Sequence, residues 1–72
     1  LSKSEIGELR ATAFNNNWLT GTSVDVVTDS GLIIETKTAS EAWALGSGDV
    51  LIKLEGKSGG YDLSRVFPKG EQ

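Results

Sequence analysis

An all-β fold is predicted for this chain, a small five-stranded antiparallel barrel. Three observations predict it. Short runs with period-two alternation recur along the sequence, as at Val24 and Val26 between Ser23, Asp25 and Val27. Glycine-rich turn signals separate them at Asp29-Ser-Gly31, Gly46-Ser-Gly48 and Gly56-Lys-Ser-Gly-Gly60. With only 72 residues, the chain has room for one domain. A domain of that size buries only about 60% of its extended-chain surface.

The elements follow in order. Leu1 to Glu5 is polar and expected to fray. Leu9, Ala11 and Ala13 alternate with Arg10, Thr12 and Phe14, which predicts a first strand over 7–14. Asn15 to Asn17 reads as a turn, because Asn tolerates the left-handed region and bonds its own backbone; a ligand-contacting loop is the sharper reading. A second strand starting at Trp18 would put Trp18, Thr20, Thr22, Val24 and Val26 on one face, with a bend at Gly21. The organising stretch runs from Thr22 to Lys37: two β-rich runs around Asp29-Ser-Gly31, a hairpin with Gly31 at positive φ. Thr38 and Glu41 fit a capping box and Gly46 a helix end, so one short helical turn is predicted before strand four. Val50, Ile52 and Leu54 mark strand four, and 61–67 a last strand closed by Pro68. This pattern suits an OB-like or SH3-like barrel.

Composition limits the chemistry. The chain has no Cys, His or Met, which removes disulfides, thiolate metal sites and the commonest general base. The net charge is −3, against the basic face a nucleic-acid binder needs. No run is long enough to span a bilayer, no signal peptide is seen, and direct membrane insertion is not expected. The start at Leu1 reads as a cut from a longer protein.

Gly56-Lys57-Ser58 resembles the end of a phosphate loop, but Leu51 occupies the position of the first Gly and no helix start follows. Weak anion contact by Lys57, Ser58, Gly59 and Gly60 remains the expectation there. The carboxylates are dispersed one per element, which reads as solvated surface and turn caps. Trp18 and Trp43 are the candidate partner-contact residues, Trp43 foremost, because large aromatics concentrate at interface centres. No catalytic, metal or cofactor-binding residue is expected.

Gly7-Glu-Leu-Arg10 running to Phe14, Val24 to Gly31, Leu45-Gly-Ser-Gly-Asp-Val50 and Leu63-Ser-Arg-Val-Phe-Pro68 together resemble a known family. It is the C-terminal TOBE-type (transport-associated OB) domain of bacterial ABC-transporter ATP-binding subunits, of the ferric-iron or spermidine/putrescine importer type. The resemblance runs from about Glu5 to Pro68; Asn15 to Asn17 stands where Leu-Gly is more common. It implies that residues 1–72 form one accessory regulatory or dimerisation domain of a transport ATPase for metal ions such as Fe(III), or for polyamines. The parent chain would bind ATP and Mg, pair as a homodimer, contact permease subunits and sit peripherally at the cytoplasmic face of the bacterial plasma membrane. The molybdate-binding motif of some relatives is not seen. Leu45 to Gly56 also resembles the Gly-Asp turn and strand of a PDZ domain, which would make the chain a peptide-binding module. Too little chain follows Gly56 for the rest of that fold. A nucleic-acid-binding OB fold is the third alternative, with no paired aromatics to support it.

Overall fold

The structure, a computed structural model, describes residues 1–70. An α-helix, α1 (Lys3–Asn17), comes first. Five strands and a short 3-10 helix (Leu63–Arg65) follow before a final strand: β1 (Ser23–Val27), β2 (Ile33–Lys37), β3 (Trp43–Ala44), β4 (Val50–Lys53), β5 (Gly60–Asp62) and β6 (Val66–Pro68). They form two three-stranded antiparallel sheets, ordered β2-β1-β6 and β3-β4-β5. An isolated Thr38–Leu54 bridge links them, and they do not close into a barrel.

The first correction is α1, which replaces both the frayed start and the predicted first strand. Ser2 caps it: its hydroxyl accepts the Glu5 N–H at 3.2 Å, and Glu5 accepts the Ser2 N–H at 2.8 Å. Glu, Leu, Arg and Ala fill its middle, all good helix formers. Gly7, Ala11 and Phe14 fall at helical spacing on the inner face, with Gly7 and Ala11 buried. The alternation of Leu9, Ala11 and Ala13 was therefore coincidental: Leu9 is exposed while Ala11 is in the core. Trp18 does not start a strand. It ends the helix in an extended conformation, its N–H donating to Phe14 O at 2.8 Å.

The Asn triplet is helical, and its side chains serve structure. Asn17 Nδ2 donates to Ala13 O at 2.7 Å, one turn back along the helix. Asn15 makes a two-point contact with Ala42, donating to its carbonyl at 3.0 Å and accepting its N–H at 2.8 Å. That pair imitates a strand ladder and pins α1 to the segment leading into β3.

The β1–β2 hairpin is as the sequence predicts. Thr28 donates its N–H to Leu32 O, and Gly31 sits at φ +86°. Val24 and Val26 are buried, while Asp25 lies between Glu35 and Phe67 on the outer face. There Lys69 meets Glu35 at 2.5 Å and Asp25 at 3.5 Å, fastening the β6 end across the sheet.

The predicted helical turn at Thr38 to Gly46 is absent. Thr38 is buried, and its hydroxyl accepts the Gly21 N–H at 2.9 Å, so it cannot cap a helix at Glu41. Ala39 donates to Lys53 O, and Lys53 donates to Ser40 Oγ at 3.2 Å. These bonds hold the segment extended along β4 until β3 pairs Trp43 with Leu51. The predicted last strand also breaks. Asp62 Oδ1 accepts from Ser64 N at 2.9 Å and Ser64 Oγ at 2.8 Å, capping the 3-10 helix that separates β5 from β6.

Val24, Val26, Val50, Ile52, Leu54, Leu63 and Val66 form the core with Ala11 and Ala42. Each buried Val, Leu or Ile contributes roughly 1.5–3 kcal/mol. Leu63 joins it from the start of the 3-10 helix.

Candidate functional site

An open groove of about 510 Å³ lies between the tip of the β1–β2 hairpin and β5. Val27, Thr28, Asp29 and Ser30 form one wall; Gly60, Tyr61, Asp62 and Arg65 form the other. Each wall is fixed by its own turn chemistry: Thr28 and Gly31 close the hairpin, and Asp62 caps the 3-10 helix. Arg65 joins the walls. Its Nη2 pairs with Asp29 Oδ1 at 2.8 Å, and its Nη1 donates to Val27 O at 3.3 Å.

Among the described residues β5 pairs only with β4, which leaves the outer edge of the β5 wall unpaired. Lys53 spends its N–H and C=O on Ser40 and Ala39, on the β3 side of β4. Antiparallel pairing alternates, so Ile52 bonds Tyr61, and the N–H groups of Gly60 and Asp62 face away from β4. A free edge of this kind can pair with another extended chain.

Electrostatically the groove is mixed. The Ser64 N–H and hydroxyl hold the Asp62 carboxyl below the usual range, assisted by Arg10 and Arg65. Asp62 is thus ionised at neutral pH. Both bonds from Ser64 go to Oδ1, and Asp29 meets Arg65 through its own Oδ1. Among the described residues, each carboxylate keeps Oδ2 for a further donor. The Arg65 guanidinium spends one N–H on Asp29 and one on Val27 O, and stays partly exposed. Tyr61, half-buried and packed against the core, supplies the aromatic wall.

The residues singled out by sequence divide. Trp43, 36% exposed, extends from β3 over β4 to Gly60: a Cβ at Gly60 would lie 3.1–3.2 Å from its ring and from Leu51. Trp43 and Gly60 are therefore brought together on the outer face of the second sheet. Gly60 also lines the groove. Lys57, Ser58 and Gly59 stay on an exposed loop, with the Lys57 N–H donating to Leu54 O at 3.3 Å. Trp18 is half-buried at the end of α1, on a different element. The sequence reading missed Asp29, Tyr61, Asp62 and Arg65 as a group. The Asp62-Leu-Ser64 spacing was an available turn signal; nothing in the sequence pairs residue 29 with residue 65.

Among the described residues, no group of three acidic side chains is placed to hold a metal ion, and no helix is long and apolar enough to cross a membrane. Comparison with protein-family models, curated proteins and solved structures finds no match.

Proposed function

We propose that this domain is a non-catalytic interaction module that takes an extended segment of a partner protein into the groove, beside β5. The observation that carries the reading is the unpaired β5 edge facing the hairpin tip across about 510 Å³ of open space. Main-chain bonds to Gly60 and Asp62 would supply affinity, and the walls would select side chains. The Thr28 and Ser30 hydroxyls lie 3.0 Å apart with no imidazole or thiol in the chain to activate either. This is the peptide-in-groove chemistry of the PDZ-like alternative, on a different framework.

The test is a titration of the ¹⁵N-labelled chain with a library of extended peptides. Saturable shifts concentrated at 27–30 and 60–65 are expected. Binding that shifts other surfaces and leaves these unchanged would contradict the reading.

The partly exposed Trp43, with exposed Leu45 nearby on the same strand end, favours a second reading, contact with another copy of the chain. That is the role an accessory domain of a transport ATPase would have. Gly7 to Phe14, one of the stretches that carry the resemblance, is helical in this chain. Sedimentation separates the readings: self-association that weakens in Trp43→Ala supports the second.

A further inference from the structure

We propose that α1 is a removable guard on the edge of β3. Docked, it withholds that edge; released, it lets β3 pair with the β3 of a second copy of the chain. This edge is separate from the groove beside β5.

Asn15 occupies main-chain groups that point out of the sheet. Leu45 donates its N–H to Asp49 O, so residue 45 faces β4, and by antiparallel alternation Trp43 does too. Ala42 and Ala44 therefore turn their N–H and C=O groups away from β4. Asn15 takes both groups of Ala42, donating to its carbonyl at 3.0 Å and accepting its N–H at 2.8 Å. A side-chain amide stands where the main chain of a neighbouring strand would stand. A helix laid over a sheet edge keeps that edge from pairing with another chain.

The guard is lightly held. Among the described residues, Ala11 is the one core residue that α1 supplies; Gly7 is its other buried position, and Phe14 is half-buried. Gly and Ala bury little apolar surface. Ile6 and Leu9 face outward, and fifteen residues are barely enough for a helix standing alone. The other core residues lie between Val24 and Val66. An element attached in this way opens without global unfolding.

The bared edge suits its own copy. In antiparallel pairing about a two-fold axis at Trp43, Ala42 of each chain meets Ala44 of the other as a hydrogen-bonded pair. Trp43, already 36% exposed, then lies opposite Trp43 of the second copy, a cross-strand aromatic pair. No charged side chain stands at the axis, since 42–44 reads Ala-Trp-Ala.

The test uses the full chain carrying Gly7→Ala and Asn15→Ala together, which removes both fastenings of α1. Amide exchange should quicken about tenfold from Glu8 to Phe14, while Val26 and Ile52 keep wild-type protection. Sedimentation equilibrium should then show self-association about a hundredfold tighter than in the wild type, the square of the first factor, because both copies must open. Adding Ala44→Pro removes an N–H that β4 does not use and should abolish the gain. Val26→Ala, which weakens the core and leaves α1 in place, should associate as the wild type does. Wild-type association through the exposed face of Trp43 does not depend on the Ala44 N–H and is the baseline. Unaltered exchange in α1, or equal quickening at Val26 and Ile52, would overturn the proposal. So would an opened α1 without tighter association, or association that survives Ala44→Pro.

Discussion

Gly7 on α1 rests against Gly48: a Cβ at Gly7 would lie 2.8 Å from the Gly48 carbonyl oxygen. The approach is reciprocal, because a Cβ at Gly48 would lie 2.8 Å from the Lys3 carbonyl oxygen, and Gly48 holds φ +94°. Two glycines, each without a side chain, let the helix sit directly on the turn between β3 and β4. In an exposed helix, Gly→Ala gains about 1 kcal/mol. Here the methyl meets backbone that cannot rotate away, so Gly7→Ala should destabilise by roughly 1–3 kcal/mol. Gly48→Ala should cost at least as much, adding backbone strain to the clash. Gly46→Ala, with nothing within 4 Å and no positive φ, should stay near neutral. Thermal unfolding of the three variants checks the contact; a raised Tm in Gly7→Ala would contradict it.

Asn15 is the second fastening of α1. Truncating it removes both bonds to Ala42 and leaves a part-buried N–H and C=O unpaired. Asn15→Ala should cost about 1–3 kcal/mol. The neighbouring Asn16 is exposed, so Asn16→Ala should stay within about 0.5 kcal/mol. Denaturant midpoints of the two variants separate a structural Asn15 from a ligand-contacting loop.

Where sequence alone succeeded and where it failed follows from the range of the interactions. The β1–β2 hairpin is local: alternating valines, a five-residue connection and one glycine define it. The helix is also local, yet its buried face is made of Gly7 and Ala11, too small to register as an apolar stripe. The accidental alternation of Leu9, Ala11 and Ala13 then outweighed the Ser2–Glu5 cap. Thr38 looked like a cap because its true partner, Gly21, lies across the sheet. The groove was illegible for the same reason. Asp29 and Arg65 come from opposite ends of the β region, and only the return of β6 beside β1 brings them together.

The register of the hairpin makes a sharp prediction about charge. Val26 is buried opposite half-buried Ile34, whereas Ile33 is 68% exposed on the outer face. Val26→Asp places an unpaired charge in the core and should unfold the domain. Ile34→Asp should destabilise it strongly. Ile33→Asp should change stability by no more than about 0.5 kcal/mol. Circular dichroism melting distinguishes them, and a reversal between Ile33 and Ile34 would mean a one-residue slip.

Stability should fall at both ends of the pH scale. Hydrogen bonding by Lys69 lowers the Glu35 pKa, bonding by Ser2 lowers that of Glu5, and bonding by Ser64 lowers that of Asp62. A depressed folded value means stability that is present above the unfolded value and lost as pH falls through the folded one. The Lys69 pKa is raised, first by its bond to Glu35, so its contribution is complete below the unfolded value and disappears as pH rises through the folded one. Tm should therefore be flat near neutrality, declining below about pH 4 and above about pH 10. Glu35→Gln should soften both declines. An unchanged profile in that variant would remove the Lys69–Glu35 pair from the account.

The groove reading depends on the β5 edge being free and able to take a strand, and amide hydrogen exchange measures this directly. In the free chain, Tyr61, bonded to Ile52, should exchange slowly, while Gly60 and Asp62 should exchange quickly. At saturation with an extended peptide that shifts the groove amides, Gly60 and Asp62 should become protected and Tyr61 should change little. Protection of Gly60 and Asp62 already in the free chain, or unaltered exchange at saturation, would contradict strand addition at β5.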